Sequence, residues 1–131
     1  PMLVLSGDLT VKRANRQFYS LFEVGEAETL GRSLFALGGG QWDVPELRHL
    51  LDDVLPSSNP FEGFEVRADF PGIGPRAMLL NARQLPLTGP RNLILLAFED
   101  VTERRRYEAE LLNRANLFVA MLAHELRNPM A

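Results

Sequence analysis

Between Phe64 and Phe70 apolar and charged residues alternate without a break. Phe64, Val66, Ala68 and Phe70 are separated by Glu65, Arg67 and Asp69. A period of two belongs to a strand with one buried face. Two more apolar stretches, "RAMLLNARQLPL" and "NLILLAFEDV", follow the turn signals "PGIGP" and "TGPR". Their short connections suit an antiparallel meander. At the other end, Met2 to Val11 is apolar and broken at "SGD", which predicts a strand turning into a second strand.

Between the two strand groups the period lengthens. "RANRQFYSLFEVG" predicts a helix capped by Asn15, with Phe18, Leu21 and Phe22 at helical spacing and Gly25 at its end. "EAETLGRSLFALGGG" reads as a short helix or turn region punctuated by Gly38 to Gly40. A third helix is expected over about Val44 to Leu55, capped by Asp43 and stopped at Pro56. Val44, Leu47, Leu50, Leu51, Val54 and Leu55 form its apolar face. The "PSSNP" that follows is a loop.

From Thr102 the character changes again. "ERRRYEAELLNRANLFVAMLAHELRNPMA" contains no glycine, and its one proline is near the end, so a single long helix is predicted. Leu111, Ala115, Phe118 and Leu122 step by four, three and four, the spacing of a coiled-coil seam. So narrow a stripe calls for a partner copy, and a parallel homodimer through 107 to 126 is expected. The order of two strands, short helices, three strands and an exit helix gives an α+β arrangement: a five-stranded antiparallel sheet with helices on one face.

Composition removes several classes of function. The net charge of −3 argues against a nucleic-acid partner, which would need a basic face. No cysteine is present, which excludes disulfides, thiolate metal sites and cysteine nucleophiles. No apolar run approaches the ~20 residues of a membrane span, and "PMLVLSG" does not read as a signal peptide. A cytoplasmic setting is expected, with any membrane anchor outside this segment.

The order of elements, with "RANRQFYSLFEV", "GEAETLGRSLFAL" and above all "FEDVTERRR", resembles a PAS domain feeding the helix of a sensor histidine kinase. PAS domains commonly end in an Asp-(Ile/Val)-Thr motif, here Asp100-Val101-Thr102, before a charged coiled-coil linker. "FVAMLAHELRNPMA" is similar to the box that opens the dimerisation and phosphoacceptor (HisKA) domain, usually His-Glu-Leu-Arg-(Thr/Asn)-Pro-Leu. This chain departs from it only at Met130. The resemblance implies a PAS sensor over 1–102, and a signalling helix with the start of the HisKA helix over 103–131. It also implies His124 as phosphoacceptor, Glu125 as acid/base or orienting group, and Asn128 as a positioning group, including for the water of dephosphorylation. Asp100 and Thr102 would form the signal junction. ATP and magnesium are expected in the full-length kinase. The expected partners are its ATP-binding domain, a response regulator receiver domain and a second copy of the chain.

Elementary chemistry agrees with that assignment. Imidazole keeps a neutral nitrogen available near neutral pH, and phosphoryl transfer asks mainly for positioning and charge stabilisation. At about 100° per residue His124 lies about 200° from Leu122, pointing away from the seam, with Asn128 one turn further on nearly the same face. Pro129 is expected to bend the helix, because it conflicts with the carbonyl of Glu125. With neither an ATP lid nor the second phosphotransfer helix in this segment, no autonomous kinase activity is expected.

Competing readings are weaker. "HELRN" begins like the zinc-protease H-E-x-x-H motif, but Asn128 stands where the second histidine ligand belongs. His49 lies on the helix where some haem-binding PAS domains place their iron ligand. It is about 200° from Leu47 and therefore opposite the apolar face. Gly38 to Gly40 lack the lysine and hydroxyl of a phosphate loop and read as a flexible turn, and Trp42 as a core or rim residue. The arginines 104 to 106 solvate the linker, with one of them in reach of Asp100 or Glu99. The alternative to a kinase segment is a non-catalytic PAS ligand-binding or dimerisation module. The identity of any PAS ligand stays open.

Overall fold

Alternate residues of strand β5 (Leu93–Asp100) are buried: Ile94, Leu96 and Phe98 face inward. They meet the same pattern on both neighbours. Leu96 stands opposite Ala82 of β4 (Gly74–Leu85) and opposite Leu3 of β1 (Met2–Leu5), with both pairings antiparallel. β3 (Phe61–Phe70) lies beyond β4, and β2 (Val11–Ala14) beyond β1, so the strand order is β2-β1-β5-β4-β3. The expected meander β3-β4-β5 is present. The chain's first strand joins it beside its last, a long-range pairing that no local pattern encodes.

The computed structural model describes residues 1–55, 60–85 and 93–127. Most of the "PSSNP" loop, the "TGPR" turn, Asn128 and the bend expected at Pro129 lie outside the described residues.

Helices cover the inner face of the sheet. Helix α1 (Arg16–Phe22) starts directly after Asn15, whose side chain accepts from the Phe18 N–H at 3.0 Å and from the Met2 N–H at 2.9 Å. One amide thus caps the helix and ties it to β1. The helix ends at Glu23 in a left-handed conformation, two residues before the glycine expected to stop it.

The third helix differs from the expected form. Helix α2 spans only Pro45–His49 and continues as a wider π-helical turn, Leu50–Val54. Pro45 suits the first helical position, where its missing N–H has no helical partner, and the cap falls on Val44. Asp43 bonds the Arg48 guanidinium instead. Leu47, Leu51 and Leu55 are fully buried, while Val44 and Leu50 are half-buried and pack against the same core.

Rings fill the middle of this core. The centroid of Trp42 is 5.0 Å from those of Phe70 and Phe98 and 5.8 Å from that of Phe22, while Phe18 and Phe22 are 4.8 Å apart. Tilted and edge-on pairs at these spacings add to the free energy of burial itself.

Helix α3 (Thr102–Arg127) is the long helix expected. It carries the ion pairs Arg105–Glu108 and Glu110–Arg114 along its length. The chain divides into two compact units, residues 1–100 and 101–131. Among the described residues no helix is long and apolar enough to cross a membrane.

Candidate functional site

His124 and Glu125 lie in the last turn of α3, both exposed. Asn128, the third residue expected to act there, lies outside the described residues. The seam residues Leu111, Phe118 and Leu122 are also exposed, and so are Leu112, Leu117, Val119, Met121 and Leu126. Apolar surface therefore extends well beyond the stripe first read from the sequence. Leu117 and Met121 precede His124 by seven and three residues, which puts them on its side of the helix. Sequence reasoning passed over them, although the spacing was there to be read.

The two residues of the expected junction occupy adjoining elements. Asp100 is the last residue of β5, and Thr102 opens α3. The Asp100 carboxylate accepts from an Arg76 guanidinium nitrogen at 2.8 Å, with the two side chains 21% and 35% exposed. Arg76 sits on β4 and also donates through Nε to the Ile73 carbonyl at 3.3 Å. Half-burial makes this pair stronger than a surface ion pair, because water screens it less. Arg76 carried no signal in the sequence: it is 24 residues from Asp100 and meets it only through the pairing of β4 with β5.

His49 is exposed, as expected from its helical angle, and its Nδ1 lies 2.8 Å from an Asp53 oxygen. One residue earlier on α2, the Arg48 guanidinium stacks 4.2 Å from the Phe35 ring centroid. Its bond to Asp43 holds that carboxyl below the usual range and raises Arg48 in turn. Burial pushes the Tyr19 hydroxyl up, with Glu26 adding to the effect.

A cavity opens at the end of the sheet between α1 and the β3–β4 turn. Its walls are Phe18, Phe22, Val24, Leu37, Trp42 and Phe70. Trp42, expected at the core or its rim, serves as both: it is buried in the ring cluster and forms one cavity wall.

A family model described as the PAS fold matches residues 1–106. Among solved structures, the histidine kinase ThkA in complex with the response regulator protein TrrA matches at 26% identity with a TM-score of 0.66. That match covers 98% of this chain and 38% of the other. The PAS domain of Bordetella pertussis BvgS matches at 18% identity and a TM-score of 0.60, over 88% of this chain and 87% of that one. The PAS domain of an HTR-like protein from Haloarcula marismortui matches at 19% identity and a TM-score of 0.56, over 76% and 83%. These last two likenesses speak for the fold alone. No curated protein matches the chain. With the family model spanning most of its length, the chain belongs to the PAS-fold family.

Proposed function

We propose that this chain is the sensory and dimerisation segment of a sensor histidine kinase, with His124 as the phosphoacceptor. In this reading residues 1–102 sense, and residues 103–131 carry the message and present the histidine. The observation that carries it is the motif "HELRNP", whose first four residues close the helix that opens at Thr102 of "DVT". The likeness to a histidine kinase supports it, because that match extends over 98% of the chain and so beyond the PAS unit.

The chemistry asked of these residues is modest. An imidazole nitrogen attacks the γ-phosphorus of ATP, the bond to the bridging oxygen breaks, and ADP leaves with the electron pair. Glu125 orients the ring or takes up its proton, and Asn128 positions the attacking group. ATP and magnesium are supplied by the ATP-binding domain of the parent protein. The phosphoryl group then passes to a response regulator. Arg76 joins Asp100 and Thr102 at the junction, as the residue that holds the Asp100 carboxylate.

The test uses the full-length parent protein and ATP labelled on its γ-phosphate. We expect an acid-labile, alkali-stable label that disappears in His124→Ala. A label that persists in that variant contradicts the assignment. No label in the wild type favours the non-catalytic PAS module.

A further inference from the structure

Two arginines of α3 are matched to a carboxylate one turn away: Arg105 bonds Glu108 at 2.9 Å and Arg114 bonds Glu110 at 2.8 Å. Arg127 has no such partner. The positions one turn behind it are Ala123 and His124, and those one turn ahead are Met130 and Ala131, so the sequence offers it no acid on its own face. Among the described residues it makes no ion pair, and it is exposed. A cation in the last turn complements the helix dipole. That service needs no particular neighbour, yet this arginine stands three residues after the histidine.

The spacing brings the two side chains together. At about 100° per residue Arg127 lies about 60° from His124 around the helix axis, with Glu125 about 100° away on the other side. Residues three apart on a helix have Cβ atoms about 5–6 Å apart. Helical side chains also lean toward the N-terminus, over the turn before their own. Arg127 therefore leans over the turn that carries His124, within reach of its ring.

A phosphoryl group on the imidazole changes the charge balance of that turn. It brings close to two negative charges at neutral pH, and Glu125 beside it adds another. Among the described residues Arg127 is the one arginine or lysine within a turn of the ring. Its guanidinium presents a planar fork of N–H donors that matches phosphoryl oxygens. We propose that Arg127 binds the phosphoryl group carried by His124 through charge-assisted hydrogen bonds, and so extends the lifetime of the phosphorylated histidine. Loss of the group to water passes through a loose, metaphosphate-like state. That state carries less negative charge than the bound group, so a cation on the oxygens favours the group that stays. The inference rests on the phosphoacceptor reading of His124 for its role in signalling, while the contact itself can be tested without a kinase.

Potassium phosphoramidate loads the whole chain directly: an imidazole nitrogen takes the phosphoryl group and ammonia leaves. The chain's other histidine, His49, pairs with Asp53 on a different helix and serves as the internal reference. Phosphorus NMR and peptide mass spectrometry then follow the loss of each phosphoryl group at neutral pH. The group on His124 should be lost about three-fold faster in Arg127→Gln than in the wild type, the effect of one unit charge ~6 Å away in water. The group on His49 should be lost at the same rate in both. Arg127→Lys should restore most of the lifetime, and ~1 M salt should erase the difference, with far-UV circular dichroism the same in all three proteins. Equal lifetimes at His124, a loss that Arg127→Lys does not repair, an equal change at His49, or failure of the donor to phosphorylate His124 overturns the proposal. If the contact behaves as described but ATP leaves His124 of the parent protein unlabelled, the contact stands and the kinase reading falls.

Discussion

At the scale of single residues, the side chains that were easiest to read are those that act on near neighbours. Asn15 caps the helix that begins one residue later, and its type and position were enough to predict that. His124 was legible as part of a contiguous motif. Arg76 and Gln41 were not, because their partners at Asp100 and Asp69 come from distant parts of the chain. The Gln41 amide accepts from the Gly39 N–H at 2.8 Å and donates to the Asp69 carbonyl at 3.0 Å, and a Cβ on Gly39 would stand 2.7 Å from its Nε2, so Gly39→Ala tests this link. Forcing the Gln41 amide aside should cost about 0.5–1.5 kcal/mol, the worth of the hydrogen bonding lost. In a Gln41→Ala background the same change should cost close to nothing, and urea denaturation of the four proteins measures the coupling. A second prediction concerns acid. The Arg48 bond lowers Asp43 from its ordinary value of 3.8. The stabilisation is therefore complete above that value and is lost as the pH falls through the lower, folded one. Asp43→Asn should be less stable than the wild type at neutral pH, with the difference vanishing once the pH is low enough to protonate the carboxyl in both states. A difference that persists there would show that the ion pair is not its source.

At the scale of elements, the period of two identified β3, apolar stretches between turn signals identified β4 and β5, and the long helix followed from composition. The third helix was only partly legible. Its apolar residues were identified and pack on the core, but a regular 3.6-residue period gave Leu50 no less burial than Leu51. The π-helical turn changes that phase, and nothing local in "LLDDV" announces it. The consequence is measurable. Leu51→Ala, at a fully buried site, should cost about 2–5 kcal/mol, whereas Leu50→Ala should cost less than half as much. Equal losses in denaturant melts would favour the regular helix. Helix α3 raises a different question, since Leu111, Phe118, Leu122 and their neighbours are exposed in the single chain. Apolar surface of that extent is a recognised mark of association. Sedimentation should show a dimer, and Leu111→Glu with Leu122→Glu should shift it to monomer at the same concentration. A wild-type monomer at high concentration would contradict pairing through this helix.

At the scale of the whole molecule, the sequence supported the layer arrangement more firmly than the strand order. Alternation specifies that a strand has a buried face, but the placement of β1 between β2 and β5 is a choice among long-range pairings. The resemblance to PAS domains supplied what periodicity could not, and the family match over residues 1–106 agrees with it. The phosphoacceptor segment stands otherwise. It was read from "HELRNP" as a motif, and an exposed histidine beside a glutamate is the local geometry such a role needs. The central claim is therefore chemical and has a direct test. After the full-length protein is incubated with ATP and magnesium at neutral to alkaline pH, tandem mass spectrometry of its peptides locates the phosphoryl group. The account predicts a phosphoramidate on His124. A phosphoryl group on any other residue, or an unmodified His124 peptide from an active preparation, would contradict it.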